Sequence, residues 1–459
     1  MRTNRAVAVP PTFTHEGGQA DRHQKALQEL ERAVMTCLLF EDTFYEGGDS
    51  IASRIEVLAK QVPAAALVEM IGRARTEMRL RHVPLFLVVQ LLGHPNRTAG
   101  QVVEGVLKAV RRPDEMGEII ALFVKGRDNG PKGPRVHPFA KLPRALVRGL
   151  AKAFVRFDAY QLAKWNRDAQ IKLRDVMFLT HPKPLTPTQA LIFKALAEGT
   201  LQAPDTWEVA LSAGKDKRGT WTRLLADGKL GYMALLANLR NMEQASVDHA
   251  LIEKALLDGA PRSWALPFRF VSALKAAPHM AQALSDAMLA ALRGQPKLPG
   301  TTYVVVDVSG SMDAPLSMRG NMYRTEAASA LAVYIREVAE RARVFSFSNN
   351  LVEVPNVRGL PLVDAIRRSQ AHGGTALAQS LRALPPGADR VIVVTDEQSS
   401  DGTVNVPGMK AGYIINVASY RPALELEGNW ARISGWSERV VDYIRMTEGH
   451  EQAQSSEEE

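Results

Sequence analysis

A chain of 459 residues, 46% hydrophobic and 23% charged, has the apolar content to build more than one packed core, which excludes disorder as its general state. Its formal net charge of +8 favours an anionic partner, nucleic acid ahead of a membrane surface. A lone cysteine, Cys37, excludes an intramolecular disulfide; with no secretory h-region and no run of roughly 18 apolar residues, a cytoplasmic protein without a membrane role is expected.

Residues 1–20 are polar and rich in Gly and Pro, and predict an irregular arm. From 21 to 293, apolar residues recur at helical spacing, as in Leu67/Met70/Ile71 and Val103/Leu107/Val110. Turn signals such as His94-Pro95-Asn96 and Gly130-Pro131-Lys132-Gly133-Pro134 separate these stretches, and β-branched alternation is nearly absent. Many short helices in series predict stacked helical pairs, an α-solenoid; no clean repeat period is visible, so a compact bundle is the alternative.

The basic charge is local. Between Lys125 and Lys183 stand fourteen Lys or Arg against four Asp or Glu, an excess of ten that exceeds the +8 of the whole chain. Arg144, Arg148, Lys152 and Arg156 recur every four residues after Pro143, which is expected at the first helical position. They line one helix face, while Leu146, Leu150, Phe154 and Phe157 line another. Unpaired like charges at this spacing repel by roughly 0.2–0.5 kcal/mol per pair, and a phosphate backbone relieves that repulsion through counterion release. An ordinary solvated face is the plain alternative. Further along, Lys164, Trp165, Arg167, Lys172, Arg174, His181 and Lys183 mix cations with planar groups, as RNA contacts do. His181 alone reads equally as a helix-terminal hydrogen-bonding residue.

Gly294-Gln295-Pro296-Lys297-Leu298-Pro299-Gly300 marks a linker. Beyond it, strand-like runs at Tyr303–Val306, Val344–Phe347, Val391–Val394 and Tyr413–Val417 alternate with helical stretches at Glu326–Arg341 and Ala376–Leu384. That alternation predicts a doubly wound, mostly parallel sheet over 301–446. The acidic segment 447–459 is expected to be a disordered tail.

The sharpest chemical signal is Asp307-Val-Ser309-Gly-Ser311, directly after the first apolar strand. Thr375 follows Gly373-Gly374 ahead of a helix, and Asp396 closes the strand Val391–Val394 after Thr395. Ligands of open α/β sheets bind beyond the carboxyl ends of the strands, where these five oxygen donors are expected. A set without thiolate or imidazole suits Mg²⁺ or Mn²⁺. Mere capping of helices and turns is the alternative. A haloacid-dehalogenase phosphotransferase also begins with an aspartate after a strand, but needs a second one where Ser309 stands. No proton donor is evident, so enzyme chemistry is not expected.

The Asp-x-Ser-x-Ser, Thr, Asp arrangement resembles the metal-ion-dependent adhesion site (MIDAS) of the von Willebrand factor A fold. The helical half resembles the TROVE module of the Ro autoantigen family, in its bacterial type. The resemblance is carried by Phe44-Tyr-Glu-Gly-Gly48, Arg112-Pro-Asp-Glu115, Lys172-Leu-Arg-Asp-Val176, Thr180-His-Pro-Lys-Pro184, Asp205-Thr-Trp-Glu208, Ser212-Ala-Gly-Lys-Asp-Lys-Arg218, Leu230-Gly-Tyr-Met-Ala-Leu-Leu236, Asn238-Leu-Arg-Asn241 and Leu266-Pro-Phe-Arg-Phe270. Ile415-Asn-Val-Ala-Ser419 and Gly435-Trp-Ser437 extend it to the C-terminal domain. The resemblance implies HEAT-like repeats bent into a monomeric ring, closed by the A domain. It implies binding of Y-type small non-coding RNA and of single-stranded ends of defective RNAs, in RNA quality control or as an adaptor for polynucleotide phosphorylase. Lys164 and His181 then match Y-RNA-contacting positions; Arg167 lies near a third, and which arginine makes that contact stays open. A protein-interaction scaffold is the competing reading. A chelatase-type subunit is another, but the chain lacks the phosphate-cradling loop that its ATPase needs.

Overall fold

This computed structural model describes residues 48–125, 142–202, 207–212, 216–263, 265–316, 322–396, 408–417, 429–434 and 440–457, together with residue 406 and most of 26–34. The expected N-terminal arm lies outside the described residues. By its contacts the chain falls into two units, residues 1–35 with 51–202 and residues 36–50 with 203–459.

In the first unit the helical spacing resolves into α1 (Gly48–Gln61), α2 (Ala64–Thr76), α3 (His82–Gly93), α4 (Ala99–Ala109), α5 (Asp114–Lys125), α6 (Arg144–Phe154), α7 (Ala159–Trp165), α8 (Leu173–Thr180) and α9 (Pro187–Glu198). Local chemistry sets their starts. Thr98 and Asp158 each form a capping box with a glutamine three residues on, and Thr186 caps α9 ahead of Pro187. Helix α4 packs against α2, α3 and α6. A Cβ on Gly149 would meet Val106 at 3.0 Å, so a glycine is what lets α6 approach α4 this closely.

The second unit begins with α10 (Trp207–Ser212), α11 (Lys217–Ala226), α12 (Tyr232–Ala237), α13 (Leu239–Gln244), α14 (His249–Gly259), α15 (Pro267–Ala276) and α16 (Ala281–Leu292). It continues with β1 (Leu298–Asp307), α17 (Arg324–Val338), β2 (Ala339–Phe347), β3 (Leu351–Glu353), α18 (Leu360–Arg367), α19 (Leu377–Arg382), β4 (Arg390–Thr395), β5 (Ala411–Asn416), β6 (Trp430–Ser434) and α20 (Val440–Glu457). The sheet order is β3-β2-β1-β4-β5-β6. All pairs are parallel except β2 with β3. Tyr303, Val305, Phe345, Phe347, Val391, Val393 and Ile414 form one buried face with Leu377 and Leu381 of α19. Helix α17, buried along almost its whole length, packs on β1 and β2. Helices α15 and α16 pack on α17 within this same unit.

Several details differ from expectation. The helix expected through Arg341 ends at Val338, because Ala339 and Arg341 pair with Leu298 and Thr301 of β1. Strand β1 correspondingly starts at Leu298, inside the expected linker. Pro143 occupies the capping position ahead of α6 rather than its first turn. The acidic tail expected to be disordered continues helix α20 to Glu457. Glu448 is held there by Arg390, a residue only 4% exposed, and its Oε1 lies 3.2 Å from the Tyr413 hydroxyl. Burial of Arg390 requires a carboxylate, and the tail supplies it.

Candidate metal centre and nucleic-acid interface

The chain leaves β1 for β2 on one side and for β4 on the other, so the β1/β4 border is the switch point where an open α/β sheet has its crevice. Asp307 ends β1, and Asp396 follows β4 directly. Both are fully buried, as is Thr395, and Ser309 is 1% exposed. Asp307 Oδ1 accepts the Ser309 N–H at 2.8 Å, and Oδ2 accepts the Thr395 hydroxyl at 2.5 Å. The Ser309 and Ser311 hydroxyls lie 3.2 Å apart, and Ser311 donates to Asp396 Oδ1 at 3.1 Å. The loop leading to the half-buried Thr375 is drawn to the same edge. Gly310 N–H donates to the Gly373 carbonyl at 3.0 Å, and the Ser348 hydroxyl donates to that of Gly374 at 3.0 Å.

Burial, aided by the charge of nearby Asp396, pushes the Asp307 carboxyl up to about 7, against the hydrogen bonds from Ser309 and Thr395. Among the described residues, no Lys, Arg or His pairs with Asp307. A buried acid in this position, beside hydroxyls and a second carboxylate, is a donor set that fits a hard divalent cation. Asp307, Ser309, Ser311 and Asp396 are the groups that could hold it, with Thr375 in the adjoining loop. Behind them Asp313 accepts from His372 Nδ1 at 2.8 Å, while Nε2 meets the Arg367 carbonyl at 2.9 Å. Burial opposes charge on His372, but these hydrogen bonds prevail and raise its pKa above the ordinary histidine value.

The basic positions lie in the first unit. Arg144, Arg148 and Lys152 are exposed on one face of α6, whose opposite face buries Leu146, Leu150 and Phe154. None of the three has an acidic partner among the described residues. Arg156 lies past the helix end and donates to the Leu107 carbonyl at 2.9 Å, so part of its guanidinium serves packing. Lys172 is tied to Asp168 at 2.8 Å, and that hydrogen bond raises its pKa. Lys164 stands 5.5 Å from the Tyr160 ring centroid and 5.8 Å from that of Trp165. Trp165 also carries Arg112 at 3.4 Å and Arg167 at 4.9 Å. Arg174 lies over the exposed Phe178 at 5.5 Å. His181 caps α8 in the left-handed region (φ 46°), its side chain exposed. Helix α8 packs on α6, which places His181 and Arg174 on an element that adjoins the row of cations. Sequence reasoning passed over the exposed aromatics Tyr160 and Phe178; each stands four residues from its cation, a spacing that could have signalled them.

A series of short helices followed by an α/β domain of von Willebrand factor A architecture is the class this fold defines. The TROVE domain family model matches residues 194–319. The crystal structure of the Deinococcus radiodurans Ro (Rsr) protein superposes with a TM-score of 0.61 at 16% identity, covering 91% of this chain and 98% of that one. Telomerase protein component 1 of Rattus norvegicus is 35% identical over 82 residues, and that of Mus musculus is 36% identical over 78; each match takes in 16% of this chain and 3% of the relative. The chain thus spans a small fraction of those curated relatives. What the chain shares with Ro proteins is thus a TROVE match confined to residues 194–319 and a likeness of fold. Among the described residues, no helix is long and apolar enough to cross a membrane.

Proposed function

We propose that this chain is a non-enzymatic RNA-binding protein that takes Y-type small non-coding RNA and the single-stranded ends of misfolded RNAs. It would act in RNA quality control or as an adaptor for an exoribonuclease such as polynucleotide phosphorylase. The observation that carries the reading is the row of Arg144, Arg148 and Lys152, exposed, single-sided and without acidic partners among the described residues. Such a row favours a polyanion over a protein surface of mixed charge. Neighbouring Lys164, Arg167, Lys172, Arg174 and His181 extend it, with Trp165 and Phe178 as flat groups against which bases can stack.

In the same reading Asp307, Ser309, Ser311, Thr375 and Asp396 hold Mg²⁺ or Mn²⁺. The ion presents a positive centre to an acidic side chain or a phosphate oxygen at the carboxyl edge of the sheet.

The test is the salt dependence of binding to single-stranded RNA. Replacing Arg144, Arg148 and Lys152 by glutamine is expected to flatten the slope of log K against log salt by about 2, three phosphate contacts at roughly 0.7 each. An unchanged slope, or no affinity for any RNA at low salt, defeats the reading. Capture of a protein partner that persists at high salt would favour a scaffold instead.

A further inference from the structure

The candidate metal centre already contains a cation. Arg324, the first residue of α17, is only 6% exposed, and its Nη1 donates to Asp396 Oδ2 at 3.0 Å. The same nitrogen lies 3.4 Å from the Ser311 carbonyl, while the Ser311 hydroxyl donates to the other oxygen of Asp396. One guanidinium therefore engages two residues, Asp396 and Ser311, of the candidate ligand set. Arginine does not lose its proton in proteins, so the charge cannot be dismissed by a change of pH. Two cations sharing a buried carboxylate repel strongly, because little solvent screens them.

The start of α17 is fixed independently of that contact. Thr325 donates to the Met312 carbonyl at 2.7 Å. Glu326 accepts the Tyr323 N–H at 2.9 Å and binds Lys275 of α15 at 2.8 Å. Any yielding must come from the arginine side chain, which is long enough to swing while its backbone stays anchored.

We propose that Arg324 is a resident counter-ion of Asp396, and that a divalent cation enters by exchange with it. The proposal rests on the metal-site reading above. Exchange makes the wild-type site weak, because each ion bound must first displace a paired, buried charge. It also gives the domain two settled states, one with the guanidinium on Asp396 and one with the metal there.

The experiment titrates Mn²⁺ into the full-length, chelator-stripped protein and follows the free aquo ion by electron paramagnetic resonance. Thermal midpoints are read in parallel with and without Mn²⁺. R324Q is expected to bind Mn²⁺ roughly tenfold or more tightly than wild type, to melt lower in chelator, and to gain more from Mn²⁺. Should R324Q not fold, R324K, which keeps a charge but loses the fork, is expected to bind more tightly than wild type by a few-fold. Mn²⁺ binding that is lost in D307A but is equal or weaker in these arginine variants overturns the exchange and leaves the metal site standing. Absence of Mn²⁺ binding in wild type and variants alike, or full binding by D307A, overturns both.

Discussion

Asp307 shows how burial and chemistry meet in one side chain. Its carboxyl is raised to about 7 in the folded chain, against about 3.9 when unfolded. A carboxyl raised on folding favours the native state while it is protonated, so its contribution is fully present below pH 4 and is lost as pH rises through 7. Metal-free protein should therefore lose stability across that window. D307N should flatten the dependence, as read from denaturant midpoints at several pH values in chelator. Glu115 is the structural counterpart. It is fully buried, binds Arg75 at 2.6 Å and accepts the Arg111 and Arg112 N–H groups at 2.8 and 2.9 Å. E115A should cost about 3–5 kcal/mol in denaturant unfolding, since it leaves Arg75 partly buried without its acid. That Asp307, Ser309 and Ser311 cluster at the end of β1 was legible in the sequence, because they fall within five residues after an apolar strand. Arg324 was not. It lies 72 positions from Asp396, and only the fold brings the two together.

At the scale of elements, α6 was readable because apolar and basic residues obey one period of 3.6. The seam that seats it was less so. Gly149 reads in sequence as a weak helix residue, yet it is the point where α6 meets Val106 of α4. G149V should cost about 1–3 kcal/mol through overpacking. It should weaken RNA binding in proportion to the tilt it imposes on α6, measured by thermal melting and fluorescence anisotropy together. The four inner strands announced themselves as apolar runs, whereas β3 and β6 did not. β3 is three residues long and is marked by a cross-strand pair, Arg343 with Glu353 at 2.7 Å, which sequence alone cannot register. The end of α17 was also hidden, because residues 339–341 are taken from the helix by pairing with β1, a non-local choice.

For the whole molecule, the cations and the carboxylates fall in different units, residues 51–202 and 203–459. Their chemistries are accordingly expected to be separable. Chelation should leave the salt slope of RNA binding unchanged while lowering the melting point of the second unit, as scanning calorimetry with and without Mn²⁺ would register. A shift of the salt slope on chelation would mean that the ion takes part in holding RNA. Order of elements was legible along the chain; the division at 202 was not, because no linker composition marks it and only packing joins α15 and α16 to α17.

The clasp between Arg390 and Glu448 bears on how this protein can be shortened. Its terminal glutamates look expendable, a hydrophilic fringe that a biochemist would trim to aid crystallisation. Cutting after Met446 would instead strand a guanidinium inside β4, and the trimmed material should precipitate or melt early. Stopping after Glu457 keeps the clasp, and affinity tags are best joined there.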